Sequence, residues 1–258
     1  MGKAQSGQFL FVVGCPRSGT TAMGMFLAED SKVAMGIERY GHRMFFGNFT
    51  IAPELFEKER FMTIEDGDTF YDSFDFSKNA YAGIEEKLDN ALWVGDKIPK
   101  LYETLEDLFD TFPDNTKVIF IFRNIFDVCA SYNKRLNDPQ DNWKYGTAAA
   151  IKDWNNSIAA YKRSKHKDKI IPIVFEEFFH DEEKYLKLCE MLDIPVNDET
   201  TERVQRFVSR NAQLEEGRNR ALSERDVFQI TTDALFGGYR EIVSIYRELF
   251  SGDHPKAG

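Results

Sequence analysis

The feature that most constrains the fold is a short segment near the start of the sequence, residues 9–21 (FLFVVGCPRSGTT). Residues 9–13 are all apolar, which predicts a strand that is buried on both faces. Gly14 and Gly19 then predict a tight turn, and a helical pattern follows over residues 20–29. A buried strand that leads through a glycine-rich turn into a helix is typical of the first unit of an α/β fold with a parallel sheet.

The rest of the sequence alternates short apolar runs with helical patterns, which favours an α/β class in which helices flank a parallel sheet. Further strands are predicted over residues 92–94, 117–122 and 170–175. Helices are predicted over residues 101–109, 126–135, 148–163, 184–192, 201–209 and 239–249. No internal repeat is visible, and we expect a single domain over residues 1–258. Ligands of such sheets bind at the carboxyl ends of the strands.

The turn after the first strand is also a predicted anion site. The backbone N–H groups of a glycine-rich turn and of the helix start that follows it can converge on one anion. Thr20 and Thr21 add hydroxyl donors, and Arg17 adds a guanidinium that can bind two oxygens at once. The alternative is an ordinary strand–turn–helix connection with a solvated arginine. The complete string Pro-Arg-Ser-Gly-Thr-Thr is much more specific than a glycine-rich turn alone.

Two familiar chemistries of phosphate loops do not fit this sequence. Gly14 and Gly19 keep the spacing of the nucleoside-triphosphatase loop, but Thr20 stands where that loop has its lysine. Arg123 ends the apolar strand where such enzymes place a magnesium-binding aspartate. A cysteine phosphatase needs an arginine six residues after its cysteine, and the residue six places after Cys15 is a threonine. We therefore expect no magnesium–nucleotide chemistry, no metal site, and a packing role for Cys15.

Composition excludes other classes. The 33 basic and 43 acidic residues give a formal net charge of −10, which argues against a general nucleic-acid partner. The longest apolar runs are far shorter than the roughly 18–20 residues of a membrane-spanning helix, and no secretory signal is visible. Three widely spaced cysteines form no disulfide or zinc pattern. These observations predict a cytoplasmic protein without a membrane span.

Two motifs carry a family resemblance. The strand followed by residues 16–21 (PRSGTT) resembles the 5′-phosphosulfate loop of sulfotransferases that use 3′-phosphoadenosine 5′-phosphosulfate (PAPS). Residues 117–124 (KVIFIFRN), followed by Ser131, are similar to the 3′-phosphate motif of that family, in which an arginine and a serine eight residues later hold the phosphate. Ile125 departs from the usual proline or glycine and leaves these ligands untouched. The resemblance implies nucleotide binding by Arg17, Ser18, Gly19, Thr20, Thr21, Arg123 and Ser131.

Further motifs are closest to the branch that contains the protein-tyrosine sulfotransferases and bacterial sulfotransferases. Residues 36–38 (Gly-Ile-Glu) resemble a Gly-x-Glu motif whose glutamate is the catalytic base in that branch. Residues 95–99 (GDKIP) resemble a strand end whose lysine faces the transferring group, with aspartate in place of asparagine. The resemblance therefore implies Glu38 as the general base, with Lys97 and Arg17 as catalytic cations. It covers about residues 9–195.

Alternatives stay open for these assignments. A single loop glutamate is usually a solvated surface residue, and Lys97 could be a surface lysine paired with Asp96. His42 is an alternative base, because other branches use histidine, and Asp96 is a third candidate. Arg123 taken alone could be an arginine at a helix start that pairs with an aspartate four residues later.

Two regions concern the surroundings of the site. Family members often close a basic loop over the 3′-phosphate in the C-terminal third, and Arg218 and Arg220 are the candidates here. Residues 40–76 are rich in aromatic and acidic residues and form a predicted insertion on the acceptor side. We expect residues 40–49, including His42, to line the acceptor pocket. Packing of these aromatics on the sheet is the alternative.

The sequence thus predicts a sulfotransferase that moves a sulfuryl group from PAPS, without a metal, to the hydroxyl of a small-molecule or carbohydrate acceptor. Two competing functions remain at this point. A phosphate-loop kinase for a small metabolite would depend on magnesium. A non-catalytic nucleotide-binding module would have neither Glu38 nor His42 within reach of the sulfur.

Overall fold

The centre of the fold is a five-stranded sheet. This computed structural model describes residues 8–44, 49–69, 81, 83–216 and 222–251. The strands are β1 Gln8–Gly14, β2 Val33–Ile37, β3 Trp93–Lys97, β4 Lys117–Phe122 and β5 Ile170–Val174. Their order in the sheet is β2-β3-β1-β4-β5. The strands are almost entirely buried, as both faces of a parallel sheet require when helices cover them. The prediction of a parallel sheet flanked by helices is confirmed.

The register of the sheet fixes which residues meet at its carboxyl edge. Strand β3 runs parallel to β1 on one side and to β2 on the other. Lys97 pairs with Val12 and with Ile37, while Asp96 pairs with Gly36 on β2. The ends of β2 and β3 therefore lie beside the end of β1, from which the glycine-rich turn departs.

The helices are α1 Thr20–Ala28, α2 Lys58–Met62, α3 Ile84–Asn90, α4 Leu105–Thr111, α5 Ile125–Leu136, α6 Thr147–Arg163, α7 Phe175–Phe178, α8 Glu182–Met191, α9 Asp198–Glu216, α10 Glu224–Asp233 and α11 Phe236–Phe250. The predicted helices correspond to α1, α4, α5, α6, α8, α9 and α11 with different ends, and residues 101–104 belong to a 3₁₀ turn before α4. Helices α2, α3, α7 and α10 were not predicted. Side-chain caps define several starts, because Asn124 accepts from the Phe126 amide and Ser223 forms a capping box with Asp226. Among the described residues, no helix is both long and apolar enough to cross a membrane.

The chain falls into two compact units. The first comprises Met1–Gly14, Gly19–Phe120 and Ser164–Ile171, and all five strands contribute to it. The second comprises Cys15–Ser18, Ile121–Arg163 and Pro172–Gly258. The single domain over residues 1–258 stays a prediction.

The described part of the 40–76 segment packs against the sheet. Tyr40 is fully buried, its hydroxyl donates to the Leu55 carbonyl, and its ring meets Phe56 edge-to-face at 5.3 Å. Phe56 in turn packs edge-to-face on Phe11 of β1. The expectation that Tyr40 lines an acceptor pocket is therefore wrong, because its ring is buried in the core, where it is more stable than in water. For the other residues of 40–49, and for the acceptor side of 40–76, the expectation stays a prediction. Residues 45–48 and 70–76 of this segment lie outside the described residues.

A buried charge cluster ties this segment to the end of β2. Asp68 is fully buried and accepts hydrogen bonds from Arg39 at 2.9 Å, Arg43 at 2.7 Å and Arg60 at 2.6 Å. Burial alone would raise the pKa of Asp68, but the bonds from Arg60, the Glu65 amide, Arg43 and Arg39 outweigh it and hold the pKa well below its usual range. We call Asp68 and these three arginines the Asp68 cluster.

Gly95 gives a direct test of the sheet register. A Cβ at this position would lie 1.7 Å from the Leu10 carbonyl oxygen of β1, and that backbone atom cannot move without breaking the ladder. We expect Gly95→Ala to destabilise the protein by roughly 3 kcal/mol, which lowers Tm by about 6–12 °C in calorimetry. The matched control is Gly237→Ala in α11, where a Cβ meets no atom within 4 Å. An unchanged Tm for Gly95→Ala would contradict the β1–β3 register.

Candidate active site

The turn after β1 contains backbone conformations that most residues avoid. Gly14, Arg17 and Gly19 have φ values of 152°, 70° and 101°. The left-handed conformation costs a residue with a Cβ, such as Arg17, about 1–2 kcal/mol. The Ser18 amide and hydroxyl both donate to the Cys15 carbonyl, at 3.1 and 2.5 Å, and so close the turn on itself. Strained backbone of this kind persists only where the surrounding structure enforces it, and it is found most often at functional sites.

Helix α1 begins directly after this turn and packs closely on the end of β3. Thr20, its first residue, is buried, whereas Thr21 is exposed. A Cβ on Gly24 would lie 3.0 and 3.1 Å from Cβ and Cγ of Lys97. The glycine therefore lets the helix cover the aliphatic stem of Lys97.

Lys97 and Glu38 form an ion pair at the carboxyl edge of the sheet. The Lys97 side chain is 1% exposed, and its ammonium donates to Glu38 Oε1. Glu38 directly follows β2, and its amide donates to the Lys97 carbonyl at 2.9 Å. A lysine buried so completely needs a compensating charge, so the alternative of a surface lysine is wrong. The Glu38 carboxylate is 26% exposed and is therefore accessible from solvent.

Asp96 precedes Lys97 but has a different environment. It is fully buried, and its two carboxylate oxygens accept from the amides of Arg39 at 3.2 Å and Tyr40 at 2.8 Å. Burial raises the pKa of Asp96 to about 7, although these two N–H groups and Lys97 lower it. Because both oxygens are bound to the backbone and hidden from solvent, Asp96 is not placed to take a proton from an acceptor.

The predicted 3′-phosphate residues come together with Arg17 in the second unit. Arg17 Nε donates to Ser131 Oγ at 3.0 Å, and Arg123 Nη1 donates to the Arg17 carbonyl at 3.1 Å. Arg123 is buried, its guanidinium lies 4.3 Å from the centre of the Phe175 ring, and its Nη2 lies 3.6 Å from Asp127 Oδ2. The Asp127 pairing and the clustering with Arg17 are thus both present.

Arg135 is a further member of this cluster that sequence reasoning missed. It lies one helical turn after Ser131 on α5, binds Asp141 through two hydrogen bonds at 2.5 and 2.8 Å, and lies 4.5 Å from the centre of the Trp143 ring. Arg17 is exposed, yet partial desolvation and then the positive charges of Arg135 and Arg123 lower its pKa. The i, i+4 spacing from Ser131 is the signal that could have revealed Arg135.

The roles of the remaining predicted site residues, His42, Arg218 and Arg220, stay predictions. His42 lies half-buried in the 3₁₀ turn Gly41–Met44, and its backbone N–H donates to the Asp68 carbonyl at 3.3 Å. Arg218 and Arg220 lie outside the described residues. Within the described ranges, no group of three or more His, Cys, Asp or Glu side chains is arranged to hold a metal ion.

Comparisons with known proteins found similarity to sulfotransferases. A family model described as "Sulfotransferase family" matches residues 10–198. The sulfotransferase STF9 from Mycobacterium avium superposes with a TM-score of 0.50 at 16% identity, over 97% of this chain and 78% of that one. Mouse sulfotransferase SULT7A1 complexed with PAP gives a TM-score of 0.49 at 15% identity, over 97% and 86%. No curated protein matches the chain by sequence.

Proposed function

The chain belongs to the sulfotransferase family, and from this we propose that it transfers a sulfuryl group from PAPS to an acceptor hydroxyl, with Glu38 as the general base. The observation that carries the proposal is the buried Lys97 ammonium paired with a partly exposed glutamate at the carboxyl edge of the sheet. A base and a cation side by side are what an in-line transfer from a phosphate leaving group needs.

The arginine cluster fits a nucleotide with several phosphate groups. The positive charges of Arg135 and Arg123 both act on Arg17, while Arg123 pairs with Asp127 and Arg135 with Asp141. We propose that Arg123 and the Ser131 hydroxyl bind the 3′-phosphate. Guanidinium groups suit this task because they bind two phosphate oxygens at once.

The remaining roles follow from each side chain. The donor supplies the sulfuryl group and a phosphate leaving group. The loop amides and the Thr20 and Thr21 hydroxyls, with Arg17, bind the 5′-phosphosulfate, and Lys97 stabilises the charge that develops on the leaving oxygen. Glu38 takes the acceptor proton as the new oxygen–sulfur bond forms and the bond from sulfur to the 5′-phosphate oxygen breaks.

We propose a small-molecule or carbohydrate hydroxyl as the acceptor and a cytoplasmic location. The three cysteines, all within the described residues, form no disulfide, which fits a reducing compartment.

A transfer screen tests the proposal. The protein is incubated with ³⁵S-labelled PAPS and with phenols, sugars, lipids or tyrosyl peptides, and Glu38→Gln serves as the inactive control. We expect label in one acceptor class with the native protein and none with the variant. Tight binding of 3′-phosphoadenosine 5′-phosphate (PAP) without transfer to any class would favour a non-catalytic nucleotide-binding module.

Transfer is expected to need no divalent metal. Thr20 replaces the loop lysine of magnesium-dependent triphosphatases, and Arg123 stands where they bind magnesium through an aspartate. A sulfuryl group also carries less negative charge than a phosphoryl group, so side-chain cations suffice. The rate with the acceptor found in the screen should be equal in EDTA and in magnesium chloride. Loss of activity in EDTA and its recovery on adding magnesium would support a kinase-like mechanism instead.

A further inference from the structure

The backbone of the turn that contains Glu38 is hydrogen-bonded to the buried carboxylate of Asp96. Asp96 Oδ1 accepts from the Arg39 amide at 3.2 Å, and Oδ2 accepts from the Tyr40 amide at 2.8 Å. The opposite residue on β2 is Gly36, and a Cβ there would lie 2.7 Å from Asp96 Oδ1. The glycine two residues before Glu38 thus provides the space that the carboxylate occupies.

The backbone of this turn is strained and needs such a partner. Glu38 has φ of 59°, a left-handed conformation that is costly for a residue with a Cβ. Successive N–H groups after a left-handed residue point the same way and form a concave anion-binding nest. The carbonyl of Glu38 is held by Thr69 Oγ1 at 3.2 Å and by the Gly41 amide at 3.2 Å. The amides of Arg39 and Tyr40 are left to bind an anion on the inner side, and Asp96 supplies it.

We propose that Asp96 is a positioning residue for sulfuryl transfer, in which its carboxylate holds the amides of Arg39 and Tyr40 and so keeps the Glu38 carboxylate beside Lys97. The catalytic consequence rests on the proposed function, whereas the anchoring of the turn does not. Asp96 touches no substrate in this arrangement, and it acts through the backbone of its neighbours.

The charge state of Asp96 then links the turn to pH. Only the carboxylate can accept from both amides with full strength, because protonation places a hydrogen on one oxygen. Burial raises the pKa of Asp96 to about 7, above its ordinary value of 3.8, so the charged form is lost as pH falls through about 7. β1 contributes the uncharged Phe11 opposite Asp96. The titratable groups facing the carboxylate are Lys97 on β3, Glu38, Arg39 and Tyr40 in the turn, and Tyr81 before α3.

Amide NMR of the ¹⁵N-labelled full chain tests the anchoring without any acceptor. The Arg39 and Tyr40 amide protons should resonate far downfield, as expected for bonds to a carboxylate, and should shift together with a midpoint near pH 7. In Asp96→Asn both signals should move upfield and lose this titration. Asp30→Asn is the matched control, because Asp30 is also buried and accepts from a backbone amide, that of Lys32 at 2.7 Å. Unchanged Arg39 and Tyr40 signals in Asp96→Asn would overturn the proposal.

Kinetics with the acceptor from the screen tests the positioning role. Asp96→Asn should lower kcat by about 10- to 100-fold through misplacement of Glu38, while the Kd for PAP stays unchanged. The native kcat should fall as pH decreases from about 8 to 6, and this limb should disappear in Asp96→Asn. A kcat and pH profile equal to those of Asp30→Asn would overturn the positioning role.

Two further outcomes separate this proposal from others. If Asp96→Asn abolishes transfer while Glu38→Gln does not, Asp96 is itself the base and the positioning role is wrong. If the native protein transfers no sulfate from PAPS, the proposed function fails, and the amide signals alone then confirm or overturn the anchoring.

Discussion

Replacing Glu38 by glutamine is expected to lower the rate of sulfuryl transfer by about 10²–10⁴, the usual contribution of a general base. The amide keeps the shape of the carboxylate but cannot take the acceptor proton. Lys97 loses its countercharge, but the arginine cluster that is proposed to bind the 3′-phosphate is untouched. The Kd for PAP, measured by calorimetry, should therefore stay near the native value while kcat collapses.

The control for this variant is Glu103→Gln, which also removes a glutamate from a lysine pair, Lys100–Glu103 at 3.6 Å on the surface. Its kcat should equal that of the native protein, because exposed pairs contribute little. A near-normal rate for Glu38→Gln would transfer the role of base to His42 or Asp96.

Arg123→Ala is expected to weaken PAP binding by about 2–4 kcal/mol, the cost of losing a buried charge-assisted contact. That loss corresponds to a roughly 30- to 1000-fold higher Kd in calorimetry. Adenosine 5′-phosphosulfate lacks the 3′-phosphate, and its affinity should change little. The difference between the two nucleotides identifies the phosphate that Arg123 binds.

Arg123 also packs on Phe175 and donates to the Arg17 carbonyl, so its replacement by alanine also removes structural contacts. A second variant that disturbs the fold less is therefore needed. Ser131→Ala removes one hydroxyl and should weaken PAP selectively, though by less. Arg247→Ala removes an exposed arginine bound to Glu177 and should leave both affinities unchanged. Equal losses for PAP and adenosine 5′-phosphosulfate in Ser131→Ala would contradict the 3′-phosphate assignment.

The sequence predicted the elements that local patterns define. Strands β1, β4 and β5 each contain an apolar run of five residues, and the loop between β1 and α1 has a specific residue string. Strand β2 was not predicted, because its five residues include a glycine and carry no alternation. Helix α10 was missed as well, although a capping box of Ser223 and Asp226 defines its start.

In the candidate site, too, the residues of the motifs could be predicted from the sequence, but their contacts could not. Glu38 and Lys97 could be named from motif spacing, but their ion pair depends on the β2–β3 register, which joins residues far apart in the chain. The hydrogen bonds of Asp96 come from backbone amides. Such bonds cannot be predicted from the sequence, because every residue type except proline has the same backbone N–H group. Sequence reasoning therefore treated Asp96 as a possible base, whereas its burial and its two amide donors support the positioning role that we propose.

The Asp68 cluster limits how this protein could be engineered. Arg39 is adjacent to Glu38, and its guanidinium ends on Asp68, so the segment after β2 cannot be exchanged as an independent cassette. A graft that omits Asp68 would leave three arginines without their shared buried carboxylate, and breaking a buried pair in this way costs about 3–5 kcal/mol. A chimera that imports this segment from another member must therefore exchange positions 39 and 68 together.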